Sequence, residues 1–104
     1  MSEGNWQQRV AAFMRRHELE HSATVHVLDL VSEVGELAKE VLLATDYGAE
    51  GLASSSGLLE ELGDSLYSLL AVAEVCDLDA DDALARVLEK YENRLNRHRK
   101  SGSP

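Results

Sequence analysis

Apolar residues recur three and four positions apart in four stretches of the chain, the spacing of amphipathic helices. Trp6, Val10, Phe13 and Met14 predict a first helix from Asn5 to about Leu19, with Asn5 as its N-cap. Val27, Leu30, Val34, Leu37 and Val41 line one side of a second, from about Ser22 to Ala44. A third runs from about Leu58 to Cys76. The fourth follows CDLDADDAL, where Asp77 or Asp79 can cap and the acidic first turn suits the helix dipole. Its apolar positions are Ala83, Leu84, Val87, Leu88, Tyr91 and Leu95. Between the second and third helices, TDYGAEGLASSSG (Thr45 to Gly57) carries the glycines and serines of a loop. No stretch alternates with period two, and none repeats. The pattern predicts an all-α protein, a four-helix bundle with helices two and three antiparallel across the Gly/Ser loop. It forms one domain over residues 1–97, with 98–104 as a flexible tail.

Composition narrows the function. The 104 residues suffice for one domain with a modest core, to which partner subunits can add. A net charge of −9 argues against general nucleic-acid binding, which needs a basic footprint, and against docking on anionic membranes. Cys76 is the only cysteine, so an intrachain disulfide is impossible, and its neighbours Val75 and Leu78 predict a buried, inert thiol. No apolar run approaches the ~18 residues of a membrane span, and no leader-type segment is seen; the expected location is the cytoplasm.

The acidic residues are not scattered. On the second helix Asp29, Glu33, Glu36 and Glu40 fall within an arc of roughly 60° at ~100° per residue, bordering the apolar face. On the third, Glu61 and Asp64 share a face that continues as Ser68, Ala71, Val72 and Val75. Isolated, either pair reads as a solvated helix edge. Together, on core-bordering stripes of two antiparallel helices, E33-x-x-E36 and E61-x-x-D64 favour a metal site. A buried carboxylate is costly unless it pairs or binds a cation. Four carboxylates make an all-oxygen cage for a hard ion such as Mg²⁺ or Mn²⁺. No CxxC or HExxH pattern suggests zinc. A di-iron bundle wants Glu-x-x-His on two helices, and only Glu18 with His21 fits.

Six of the ten basic residues, Arg86, Lys90, Arg94, Arg97, Arg99 and Lys100, lie near the C-terminus. Arg97, Arg99 and Lys100 read as a solvated helix end that suits the dipole. Lys90 and Arg94 lie deeper, flanked by Val87 and Tyr91. Packed beside the acidic groove, they could contact an anion held there. An acidic protein that binds a polyphosphate needs bridging cations and a few fixed donors, and these residues supply both.

LDLVSEVGELAKE, TDYG, LLEELGDSLYSLL and LEKYENRL, spanning about Leu28 to Leu95, resemble the all-α, MazG-like nucleoside triphosphate pyrophosphohydrolases. The resemblance implies a helical bundle whose Glu33, Glu36, Glu61 and Asp64 bind Mg²⁺. It implies cleavage of a (deoxy)nucleoside triphosphate to the monophosphate and pyrophosphate, in the service of nucleotide-pool house-cleaning, by a homodimer or homotetramer. Lys90 and Arg94 match the family's basic positions on the last helix. Glu33 and Glu36 are the catalytic acids the match offers. Two departures stand out. Many members carry adjacent glutamates where Ser32 precedes Glu33 here, and the N-terminal helix, which often holds the base, is poorly matched. Trp6 reads as a core residue, and His21 and His26 as surface or interface residues. The alternative function is a non-catalytic helical module that binds nucleotide or partner without turnover.

Overall fold

In a computed structural model, described over residues 4–52 and 56–102, the chain forms four helices: α1 (Trp6–Arg16), α2 (Ala23–Ala44), α3 (Ser56–Val75) and α4 (Ala80–Gly102). Among the described residues there is no strand. The fold is all-α, as the periodicity predicts. Residues 53–55 of the expected loop lie outside the described residues.

Side-chain caps set the helix starts. The Asn5 side chain accepts from the Gln8 N–H at 2.8 Å, and Gln8 Oε1 accepts from the Asn5 N–H at 2.8 Å, a reciprocal capping box. The Ser22 hydroxyl accepts from the Val25 N–H, and Asp79 Oδ1 from the Asp82 N–H. The ends are set by backbone handedness. α1 stops before the predicted Leu19 because Glu18 turns to φ 55°, which lets the Leu19 N–H donate to the Met14 carbonyl at 2.9 Å. α2 stops where Asp46, Tyr47 and Gly48 take φ 48°, 56° and 87° in succession.

α2 and α3 run antiparallel: Glu40 lies against Gly57, and Glu33 against Glu61 and Asp64. α1 packs across α3. Met14, wholly buried, fills that junction with Ala11, Leu70 and Ala71. Burying a methionine is worth about 1.5–3 kcal/mol. The Phe13 ring meets Tyr67 edge-on at 6.0 Å.

The predicted apolar side of α2 is divided. α3 shelters Leu30, Leu37 and Ala44, whereas Val27, Val34 and Val41 stay exposed. Trp6, expected in the core, is 62% exposed on α1, because the buried side of that helix is centred on Ala11 and Met14. Cys76, expected to be buried, is exposed, because it lies in the turn where Asp77 takes φ 56°.

α4 is a projecting arm. Its 23 residues span about 35 Å, and Leu84, Leu88, Tyr91 and Leu95 remain exposed along it. The root is fixed by Gln7. Its Nε2 donates to the Leu78 carbonyl at 2.8 Å and to Glu74 Oε1 at 3.1 Å, while its Oε1 accepts from the Ala80 N–H at 2.7 Å. Asn5 adds a bond to Asp81 at 3.2 Å. The arm gives the chain a radius of gyration of 17.7 Å, against about 13 Å for a compact domain of this length.

Candidate metal centre

Glu33 on α2 and Glu61 on α3 are half-buried where the two helices face each other, with Asp64 one turn further along α3. One carboxylate oxygen from each of the three lies within 4.8 Å of the other two. The i, i+3 spacing of Glu61 and Asp64 turns both toward α2. Three anionic oxygens this close repel one another unless a cation or protons intervene.

Two features set this cluster apart from an ordinary solvated helix edge. Glu61 Oε2 is buried and has no hydrogen-bond partner, and the neighbouring Ser65 hydroxyl is in the same state. Buried polar atoms of native proteins are nearly always satisfied, so an orphaned oxygen of this kind calls for a partner. Burial also raises the Glu61 carboxyl above its ordinary value of 4.5, and the charges of Asp64, Glu33, Glu36 and Glu40 push it further up. The donor set is carboxylate oxygen with a hydroxyl nearby, which fits a hard divalent cation.

Of the four acids expected to form the cage, Glu33, Glu61 and Asp64 converge. Glu36 is exposed at the rim, near enough to act on Glu61 electrostatically. Glu40 belongs to the same field. Its carboxylate sits over Gly57, where an added Cβ would come within 2.6 Å of Oε1. The pair motifs alone gave no weight to Glu40 or to Ser65. The signal for Ser65 was its position four residues after Glu61, on the side of α3 that faces α2.

The basic residues are engaged on α4 itself. Lys90 and Arg94 flank the Tyr91 ring on α4, at 5.4 Å and 5.5 Å from its centroid. Among the described residues neither forms an ion pair with the four acids. His26 is 4% exposed, not a surface residue. Its Nε2 accepts the His21 N–H at 3.0 Å, which ties the α1–α2 turn to the first turn of α2. That bond occupies the nitrogen, so His26 holds the turn.

The chain is thus an all-α protein that gathers carboxylates from an ExxE and an ExxD helix at one point. A family model for the MazG nucleotide pyrophosphohydrolase domain matches residues 21–99, and the chain belongs to that family. The match includes the acid centre and nearly all of α4, and leaves α1 outside. No curated protein and no solved structure matches the chain. No helix of the described residues is long and apolar enough to cross a membrane.

Proposed function

We propose that the chain is a metal-dependent nucleoside triphosphate pyrophosphohydrolase, converting a (deoxy)nucleoside triphosphate and water to the monophosphate and pyrophosphate. The observation that carries this reading is the buried, unpartnered Glu61 oxygen among three converging carboxylates. Family membership adds the type of reaction.

In this reading Glu33, Glu61 and Asp64 hold the cation, with Glu36 completing the set from the rim. The oxygen-only donors suit Mg²⁺, with Mn²⁺ as a substitute. Such an ion, when bound, neutralises polyphosphate charge and lowers the pKa of a coordinated water. The protein's own contributions are positional. Glu33 and Glu36 are the groups able to accept the proton of the attacking water. Water adds at the α-phosphorus and the bond to the α,β-bridging oxygen breaks, so pyrophosphate leaves. Lys90 and Arg94 supply positive charge to that leaving group. This last role requires α4 to lie against an acid groove, of its own chain or of a second copy. The reading includes nucleotide-pool house-cleaning in the cytoplasm by a homodimer or homotetramer.

Incubation of the folded chain with each NTP and dNTP and Mg²⁺, followed by assay of pyrophosphate and monophosphate, tests the proposal. Release of both in equal amounts from at least one nucleotide is expected. No release from any of them overturns the enzymatic reading and leaves a nucleotide-binding or interaction module. Release of orthophosphate instead overturns the assigned bond.

A further inference from the structure

We infer that Ser65 is a positioning residue of the acid centre: its hydroxyl and Glu61 Oε2 share a water, through which Ser65 steadies the Glu61 carboxylate and a water of the cation. Both atoms are buried and neither has a hydrogen-bond partner. They belong to residues one helical turn apart on α3, at i and i+4, so the two side chains rise from the same face.

The serine is the more telling of the two. A helical serine has a local option, donation to a carbonyl three or four residues back, here that of Leu62 or Glu61. Ser65 takes neither. The residue is 8% exposed, so bulk water does not serve its hydroxyl either. Serine is a weaker helix former than alanine, and burying a hydroxyl without a partner adds a further cost. Alanine in the same place would carry neither cost. A buried hydroxyl that is not bonded to its own backbone, on the side of α3 that faces α2, is directed at something between the two helices.

The Glu61 carboxylate is not its direct partner, since no bond joins them. A buried water needs more than one polar partner. Ser65 Oγ and Glu61 Oε2 are two, and Glu33 and Asp64 bring carboxylate oxygens within 4.8 Å of one from Glu61. A hydroxyl both donates and accepts, whereas the ionised carboxylates around it only accept. Ser65 can therefore donate to a water that in turn donates to Glu61, and can accept from a water whose lone pair is taken by a cation. Hard divalent cations keep several of their waters, and groups that orient metal ligands from behind commonly change affinity by about 10–100-fold. This inference deepens the proposed function and rests on its cation-binding part; nucleotide cleavage does not enter it.

The test is the Mg²⁺ affinity of the folded chain, without nucleotide and in reductant, by titration calorimetry and by the rise in melting temperature with added Mg²⁺. Ser65→Ala removes the hydroxyl, Ser65→Cys fills the space with a weakly hydrogen-bonding group, and Ser65→Thr keeps the hydroxyl. Ser65→Ala and Ser65→Cys are expected to need about tenfold more Mg²⁺ than the wild type, and Ser65→Thr to stay near it. A merely structural serine would shift the melting temperature equally with and without Mg²⁺ and leave the affinity alone. Wild-type affinity in Ser65→Ala overturns the inference and leaves the cation site standing. Wild-type affinity in Ser65→Cys beside weak binding in Ser65→Ala overturns it too, because the loss then comes from filling space; that comparison holds even where the added methyl of Ser65→Thr prevents folding. A folded Ser65→Thr that binds as weakly as Ser65→Ala counts against it equally. A wild type that binds no Mg²⁺ overturns both the inference and the cation part of the proposed function. Binding without pyrophosphate release overturns the enzymatic reading only.

Discussion

Gln7 ties α1 to the α3–α4 turn through one amide, and its removal should be measurable. Gln7→Ala deletes the bonds to the Leu78 carbonyl at 2.8 Å, to the Ala80 N–H at 2.7 Å and to Glu74 Oε1 at 3.1 Å. Two of these are neutral bonds worth about 0.5–1.5 kcal/mol each, and the third has a charged acceptor. Glu74 keeps a long ion pair with Arg15 at 3.9 Å, and its side chain is one-third exposed, so water compensates part of the third bond. The sum is about 2–3 kcal/mol, and at about 4–8 °C per kcal/mol the melting temperature falls by roughly 10–20 °C. Urea titration followed by circular dichroism measures this directly, provided the m-value is unchanged. In a double-mutant cycle, Glu74→Ala should cost less in the Gln7→Ala background than in the wild type, because the two groups share a bond. Gln7→Glu keeps the acceptor for Ala80 but opposes the Glu74 carboxylate and the Leu78 carbonyl. It should be worse than alanine at neutral pH and recover on acidification. A loss below about 0.5 kcal/mol for Gln7→Ala, outside the range expected even for one lost bond, would refute the view that this amide holds the arm's root.

Three further outcomes follow from the acid centre and the core. Folding raises the Glu61 pKa above 4.5, so the folded state holds that proton more tightly than the unfolded one. The resulting stabilisation is complete below the unfolded value and is lost as pH rises through the folded value. In chelator, Glu61→Gln should therefore melt above the wild type at neutral pH, and the gap should close on acidification toward 4.5; a pH-independent gap would contradict the crowded-carboxylate picture. Millimolar Mg²⁺ should raise the melting temperature of the wild type and leave that of Glu61→Gln nearly unmoved, as thermal melts would show. Met14→Ala should cost about 2–5 kcal/mol in urea unfolding, since no part of that side chain is exposed and the surrounding core is small.

Much of this was readable in advance, for reasons specific to particular residues. Asn5 caps the first helix as expected, and of the two candidates Asp77 and Asp79 it is Asp79 that caps the fourth; Ser22, expected only as the approximate start of the second helix, caps it. The convergence of Glu33, Glu61 and Asp64 was also legible, since i, i+3 spacing on an antiparallel pair leaves few other arrangements. What periodicity could not show is which part of an apolar arc its own chain covers. Val34 and Leu37 look equivalent in the pattern, yet α3 shelters Leu37 and leaves Val34 open. His26 is buried through a bond from the His21 backbone, which has no periodic signature. The stance of α4 depends on Gln7, 73 residues before Ala80. No local reading contains a contact of that range, so the placement of the helix that carries Lys90 was beyond the sequence.

The exposed thiol of Cys76 has a chemical consequence of its own. It has no second cysteine to pair with in the chain, so any oxidation to a disulfide must join two molecules. Where the second molecule is another copy, the covalent adduct has twice the protein's mass whether or not any helices touch. In air-exposed solution a dimer mass can thus arise without any non-covalent contact, and a reducing agent removes that species.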